Sequence, residues 1–273
     1  MIGKKKGNQV CRKGFEPNSS KMNYPFLLSD SQWEEVSAYF APKKRKRKVS
    51  LQVIVSALVY VLKSGCQWRL LPVEYGKWQL VYYYFRKWID YAVLEDMLYK
   101  LVSKRRTQSN RTAEPSAGVV DTQSVKNAAG VNEAVGYDAG KNVRGRKRSL
   151  ATDTQGNVLA AGVSSAGKHD KSAVKTIQQQ VEDFKNIEVI FADGSFKGEA
   201  PFDQKGKIKW LVVNKKAGPF KVLPKRWVVE RTFAWLTNFR RLCRDYEKRT
   251  ECAKAMILLA SILITVNKLI TYF

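Results

Sequence analysis

Near residue 117 the apolar residues change their spacing. Before it they recur at helical intervals: Leu51 to Lys63 (LQVIVSALVYVLK) is apolar nearly all round. After it they gather into short runs such as Gly118 to Val125, Val158 to Ser164 and Ile187 to Ala192. A period near 3.6 and a period near 2 cannot serve one element. The chain must therefore build a helical unit followed by one that contains a sheet.

The first 21 residues read as a loose basic leader, with Met22 as an alternative start. Ser31-Gln-Trp-Glu34 is a capping-box pattern that predicts a short helix through Tyr39. The run Lys43-Lys-Arg-Lys-Arg-Lys48 fits either a solvated loop or a phosphate contact. Leu51 to Lys63 predicts a buried helix, capped by Gly65. A turn at Tyr75-Gly-Lys77 leads to Trp78–Tyr91, aromatic and basic, so the pair fits a helix-turn-helix or an ordinary helical bundle. Gln79, Tyr83, Arg86 and Lys87 are expected to face outward. Residues 103–117, polar and with Pro115, are expected to be a linker. The division is a leader at 1–21, a helical unit at 22–102, the linker at 103–117, and a sheet-containing unit at 118–273.

In the second unit, Arg148 to Thr154 and Val158 to Ser164 flank Gln155-Gly-Asn157 and predict a hairpin. Lys171 to Phe184 has helical spacing, Ile187 to Ala192 and Ile208 to Val213 read as strands, and Lys225 to Arg241 and Cys252 to Leu269 as helices. The order is β-β-β-α-β-β-α-α.

Composition narrows function. The chain has 49 Lys+Arg against 24 Asp+Glu, a net charge of +25. That excess calls for a polyanionic partner, nucleic acid before an anionic membrane surface. Residues 1–112 hold 22 basic and 8 acidic residues, net +14, and the remainder is net +11. One histidine, His169, and four scattered cysteines without a C-x-x-C pair argue against a His/Cys zinc site or a disulfide framework. No secretory signal is visible, and the longest apolar run, Met256 to Val266, is shorter than the roughly 20 residues a bilayer needs. A cytoplasmic, nucleoid-associated protein without a membrane role is expected.

In so basic a chain, acids in apolar surroundings stand out. Asp121 sits in Val119-Val-Asp-Thr, Asp193 ends Val189-Ile-Phe-Ala-Asp, and Glu230 lies in a helix among Trp227, Val228, Val229 and Phe233. Burying an unpaired carboxylate is costly. Each fits an acid hydrogen-bonded at a strand edge or paired with arginine. Together, two acids at the ends of neighbouring strands and one from a later helix fit an oxygen-rich site for hard divalent cations, which drive phosphodiester transfer without a histidine base.

Several stretches carry a resemblance over about residues 22–270. They are Leu28-Ser-Asp-Ser-Gln-Trp-Glu34, Gly65-Cys-Gln-Trp-Arg-Leu-Leu-Pro72, Trp78 to Trp88, Asp121-Thr-Gln-Ser-Val-Lys126, Gly136-Tyr-Asp-Ala-Gly-Lys141, Gly145-Arg-Lys-Arg148, Ala192-Asp-Gly194 and Trp227 to Leu236. In this order they resemble the DDE transposases of bacterial insertion sequences, nearest the insertion-sequence-five group. The resemblance implies an α/β, RNase H-like catalytic domain, a mixed sheet flanked by helices, behind a small all-helical DNA-binding domain. It also implies Asp121, Asp193 and Glu230 as catalytic residues and metal ligands, with two Mg²⁺ per site and Mn²⁺ as substitute.

An Arg-x-x-x-Glu motif is met by Arg226 and Glu230. The sequence departs from the wider group at Leu223, where tyrosine is common, and at Thr237, where lysine is common. Arg240 or Arg241 is the expected substitute, Arg241 on the face shared by Arg226, Glu230 and Thr237. Lys126, five positions after Asp121, is expected to meet a phosphate near the metals. Lys141, Arg144, Arg146, Lys147 and Arg148 read as a flexible basic loop on the DNA backbone, with a solvated hairpin approach as the alternative. Lys46, Arg86, Lys87 and Arg231 complete the DNA-binding set. Asp170 reads as an N-cap and Cys252 as a buried small apolar residue.

The implied partners are double-stranded DNA, as element ends and target, and a second copy in a homodimer assembled on DNA. A metal-dependent nuclease without strand transfer and a non-catalytic DNA-binding protein are the alternatives.

Overall fold

The computed structural model describes residues 26–40, 47–198, 200–201, 206–212 and 226–271. The basic leader, Met22, most of the 43–48 run including Lys46, and Leu223 lie outside the described residues.

Helix α1 (Asp30–Phe40) is opened by a reciprocal box. Ser29 Oγ accepts the Gln32 N–H at 3.2 Å, and Gln32 Oε1 accepts the Ser29 N–H at 3.0 Å, so the box sits two residues before the predicted one. Helix α2 (Leu51–Ser64) is capped by Ser50, whose side chain accepts the Val53 N–H, and ends at Gly65 in the left-handed region at φ 71°. A Cβ on Gly65 would meet Arg240 Cβ at 3.1 Å, so the glycine both ends the helix and lets residues 240–241 dock against it.

Helix α3 (Trp78–Asp90) buries Val81, Phe85 and Trp88 and exposes Gln79, Tyr83 and Lys87. Thirteen residues with two short 3-10 turns separate α2 from α3, far more than the 3–4-residue turn of a helix-turn-helix. Helix α4 (Val93–Gln108) buries Leu94, Met97, Leu98, Leu101 and Val102. It takes in the first six residues of the predicted linker, because Arg106 turns inward and pairs with fully buried Asp153 at 2.6 Å.

The sheet comprises β1 (Ala117–Lys126), β2 (Gly136–Asp138), β3 (Val143–Asp153), β4 (Val158–Ser165), β5 (Val189–Ala192) and β6 (Lys209–Val212). Strand β3 lies between β1 and β4, antiparallel to both, and β5 and β6 follow beyond β1 in parallel. The short β2 pairs with the first residues of β3, ahead of the stretch that pairs with β4. This is the mixed sheet the resemblance implied.

After β4 the chain forms α5 (Asp170–Val174) and α6 (Gln178–Glu182), and after β6 it forms α7 (Arg226–Thr237) and α8 (Thr250–Ile270). The predicted single helix over 171–184 is broken at 175–177 by a 3-10 turn. Helix α8, at 21 residues, is long and apolar enough to cross a bilayer, longer than the run read from sequence. Its most apolar window is 72% buried, against α1, α2, α4 and β4. One continuous core therefore joins the helical unit to the sheet.

Candidate active site

The parallel pairing of β1 with β5 sets Val119 opposite Phe191. Carried two residues on, the same register brings Asp121 abreast of Asp193, where β5 has just ended. Asp121 is on β1, and Asp193 is the first residue past β5, where it caps the turn that follows. Asp121, half-buried, accepts the Thr122 N–H on Oδ1 at 2.7 Å. Asp193 Oδ1 accepts the Ser195 N–H at 3.0 Å and the Ser195 hydroxyl, which fixes the turn at 194–196.

Glu230 is exposed on α7 between buried Val229 and Thr232, and α7 packs on β1 and β3. The hairpin tip between β3 and β4 holds that helix in place. Thr232 Oγ1 donates to Gly156 O at 3.2 Å, and Arg231 donates to Gln155 O at 3.0 Å. Arg231 also stacks between Trp227 at 4.2 Å and Trp235 at 4.5 Å. It is therefore a clamp on α7 rather than a side chain held out to solvent. Lys268 of α8 also lies over the Trp235 ring, 4.1 Å from its centre. Among the described residues no three His, Cys, Asp or Glu side chains gather into a group that could hold a metal ion. The fold sets Asp121 on β1 and Asp193 just past β5, and packs the helix that carries Glu230 on β1 and β3.

The predicted basic contacts divide by environment. Lys126 is exposed, but it lies an odd five residues from Asp121 on a regular strand. It therefore projects from the opposite face, about 17 Å further along, and does not meet the same phosphate. Arg146, Lys147 and Arg148 form no flexible loop. β3 begins at Val143, and the three side chains are 0%, 4% and 2% exposed. Arg146 pairs with Asp245 at 3.1 Å and donates to Glu133 O, Glu247 O and Lys248 O. Lys147 binds Asp170 at 2.7 Å and Lys168 O at 2.8 Å. Arg148 donates to Leu242 O at 2.8 Å, and burial lowers its pKa to about 10. These charges are internal fasteners.

Arg241 is not on the helix of Glu230, because α7 stops at Thr237. It sits in the 240–242 turn, 6% exposed, paired with Glu247 at 2.7 Å and donating to Cys66 O at 3.0 Å. Burial pushes the Glu247 carboxyl up despite that pairing. Arg86 is tied to Glu251, and the guanidinium holds that carboxyl below its usual range. Lys87 remains exposed. Arg226 opens α7, but its side chain lies outside the described residues. Asp170 is not the cap of α5, a position held by His169. Burial opposes its charge, but Lys147 and the Thr122 hydroxyl hold the carboxyl below its ordinary range.

Sequence reasoning missed the buried acids Asp245 and Glu247. Their signal was present: Arg244-Asp-Tyr-Glu-Lys248 alternates, and the two acids are the buried members between exposed Arg244, Tyr246 and Lys248.

The family model described as "Transposase DDE domain" matches residues 112–265, the sheet and all three acids. The chain belongs to that DDE transposase family. A second model, "Putative transposase of IS4/5 family", matches residues 28–98, the helical unit. Among curated proteins, the DDE-family chain is 29% identical over 137 residues to a Burkholderia cepacia protein named "Putative transposase for insertion sequence element IS402", covering 46% of this chain and 64% of the relative. It is 31% identical over 74 residues to "Uncharacterized protein y4sN" of Sinorhizobium fredii (strain NBRC 101917 / NGR234), covering 26% of this chain and 59% of the relative. The chain thus spans about three-fifths of the length of these relatives. No solved structure matches it.

Proposed function

We propose that this chain is a DNA transposase of an insertion sequence, which cuts at the ends of its element and joins the resulting 3′-hydroxyls to target DNA. The observation that carries the reading is the parallel pairing of β1 with β5, which sets Asp121 on β1 level with Asp193 just past the end of β5, within a chain of net charge +25. The donor set is all oxygen, which fits a hard divalent cation such as Mg²⁺ and offers little to a softer metal. Asp121 and Asp193 would hold it, with Glu230 contributed by α7. When bound, a pair of such ions supplies activation of the attacking hydroxyl and stabilisation of the leaving oxygen.

In cleavage, the oxygen of water bonds to phosphorus as the P–O3′ bond breaks, leaving a 3′-hydroxyl. In transfer, that 3′-oxygen bonds to a target phosphorus as the target's own P–O3′ bond breaks. The exposed bases Lys141 and Arg144 and the α3 residues Gln79, Tyr83 and Lys87 are offered to DNA. Two element ends require two such sites, so the working unit is a dimer assembled on DNA.

The DNA flanking the gene tests this reading. With precut duplexes bearing its terminal repeats, target plasmid and Mg²⁺, joined products are expected. Nicking without joined products would mark a nuclease on the same fold. DNA binding with neither product would leave a non-catalytic DNA-binding protein.

A further inference from the structure

Two residues beyond Asp121 on the same face of β1, about 7 Å along the strand, stands Gln123. The alternation is visible in its neighbours. Thr122 and Ser124 turn the other way, to Asp170 and Asp138. On its own face Gln123 is paired across the ladder with Arg148, which donates to Leu242 O. Among the described residues the opposite flank of β1 has no strand partner here. β5 ends at Ala192, and pairing resumes only where Asp245 bonds the backbone of Lys126 and Ala128. Asp193 follows the end of β5 on one side of this stretch, and the 245 segment bounds it on the other.

In this stretch the Gln123 side-chain oxygen is buried and finds no hydrogen-bond donor among the described residues. Buried acceptors are almost always satisfied, and an orphan carries a desolvation cost. An acceptor requires a partner with a hydrogen to give. Phosphate oxygens at neutral pH have none, and the attacking group of a phosphodiester reaction has one.

We propose that Gln123 binds the nucleophile, its amide oxygen accepting a hydrogen bond from the attacking O–H. That group is water in strand cleavage and the terminal 3′-hydroxyl in strand transfer. The inference rests on Asp121 and Asp193 being the reactive pair. It assigns Gln123 the orientation of the nucleophile, with no proton taken by the amide.

The test is Gln123→Met in the full chain, close in shape and without the acceptor. It is assayed beside Asp121→Ala on element-end duplex with Mg²⁺, for cleavage of intact ends and for joining of precut ends. The inference expects a rate at saturating DNA reduced about 10²-fold in one or both reactions, with end binding intact. The melting temperature should hold or rise, since an unsatisfied acceptor has been removed. The reaction that falls identifies the hydroxyl: cleavage alone points to water, joining alone to the 3′-hydroxyl. Wild-type rates in both reactions, with Asp121→Ala inactive, overturn the inference and spare the site. An active Asp121→Ala sinks the site itself. Weaker DNA binding with an unchanged saturated rate would place Gln123 on a base or the backbone and also overturn it. So would a melting temperature lowered by several degrees in both Gln123→Met and Gln123→Leu, since the amide would then be a structural partner.

Discussion

Arg146→Met separates a DNA-contacting arginine from an internal fastener. Arg146 is wholly buried, paired with Asp245 at 3.1 Å, and donates to three carbonyls, those of Glu133, Glu247 and Lys248, at 2.8–2.9 Å. Asp245 is itself only 2% exposed. Methionine would fill much of the volume but strand that carboxylate. Removing one partner of a buried ion pair costs about 3–5 kcal/mol, chiefly through the charge left behind. For a chain of this length that is a fall in Tm of roughly 5–10 °C. Thermal unfolding reads the loss, and salt-dependent DNA binding reads the alternative. If Arg146 is internal, Tm falls by that amount and the salt slope is unchanged. If it touches a phosphate, Tm is unmoved and the slope drops by about one; that result refutes the burial argument. Arg146→Met with Asp245→Leu removes both charges and should recover most of the lost Tm, since a matched apolar pair is often neutral.

Other outcomes follow from the same contacts. Lys268 has its pKa lowered from 10.5 to about 8 by burial and then by Arg231. The fold therefore favours the neutral amine, so its penalty is full below pH 8 and fades as pH rises from 8 towards 10.5. Lys268→Met should stabilise by about 1–2 kcal/mol at pH 7, discounted for partial exposure and the Trp235 contact, and the gain should vanish near pH 10.5 in a melting series; a gain independent of pH would contradict it. Gly65→Ala places a Cβ in a left-handed conformation and 3.1 Å from Arg240 Cβ. A loss of about 1–2 kcal/mol in denaturant unfolding is expected. Lys87→Ala, at an exposed position on α3, should leave Tm alone and cut the salt slope of end binding by about one.

Which residues were legible depended on whether one local rule decided them. Gly65 and the Gln155-Gly-Asn157 turn were plain, because left-handed φ and hairpin closure demand those residues locally. Asp121 and Asp193 stood out because a carboxylate in an apolar strand needs a purpose. The basic run 146–148 misled. Consecutive charges suggest solvent, yet the sheet buries both faces of β3; Lys147 and Arg146 are neutralised by acids about 20–100 residues away, Asp170 and Asp245, and Arg148 donates to the distant Leu242 carbonyl. Pairing across such a distance leaves no local trace. Lys126 failed for a geometric reason: an odd offset on a strand reverses the face. Arg241 failed because helical periodicity was extended past Thr237, where α7 stops. Both errors concern where an element lies rather than what its residues are.

We propose that DNA is cut at the aspartate pair of the β1–β5 junction. Cleavage of duplex carrying the element's ends, with Mg²⁺, by wild type and Asp121→Ala at equal DNA occupancy addresses it most directly. The account predicts that the variant binds those ends with near-wild-type affinity and makes no cut. An Asp121→Ala protein that still nicks the ends at the wild-type rate would contradict it.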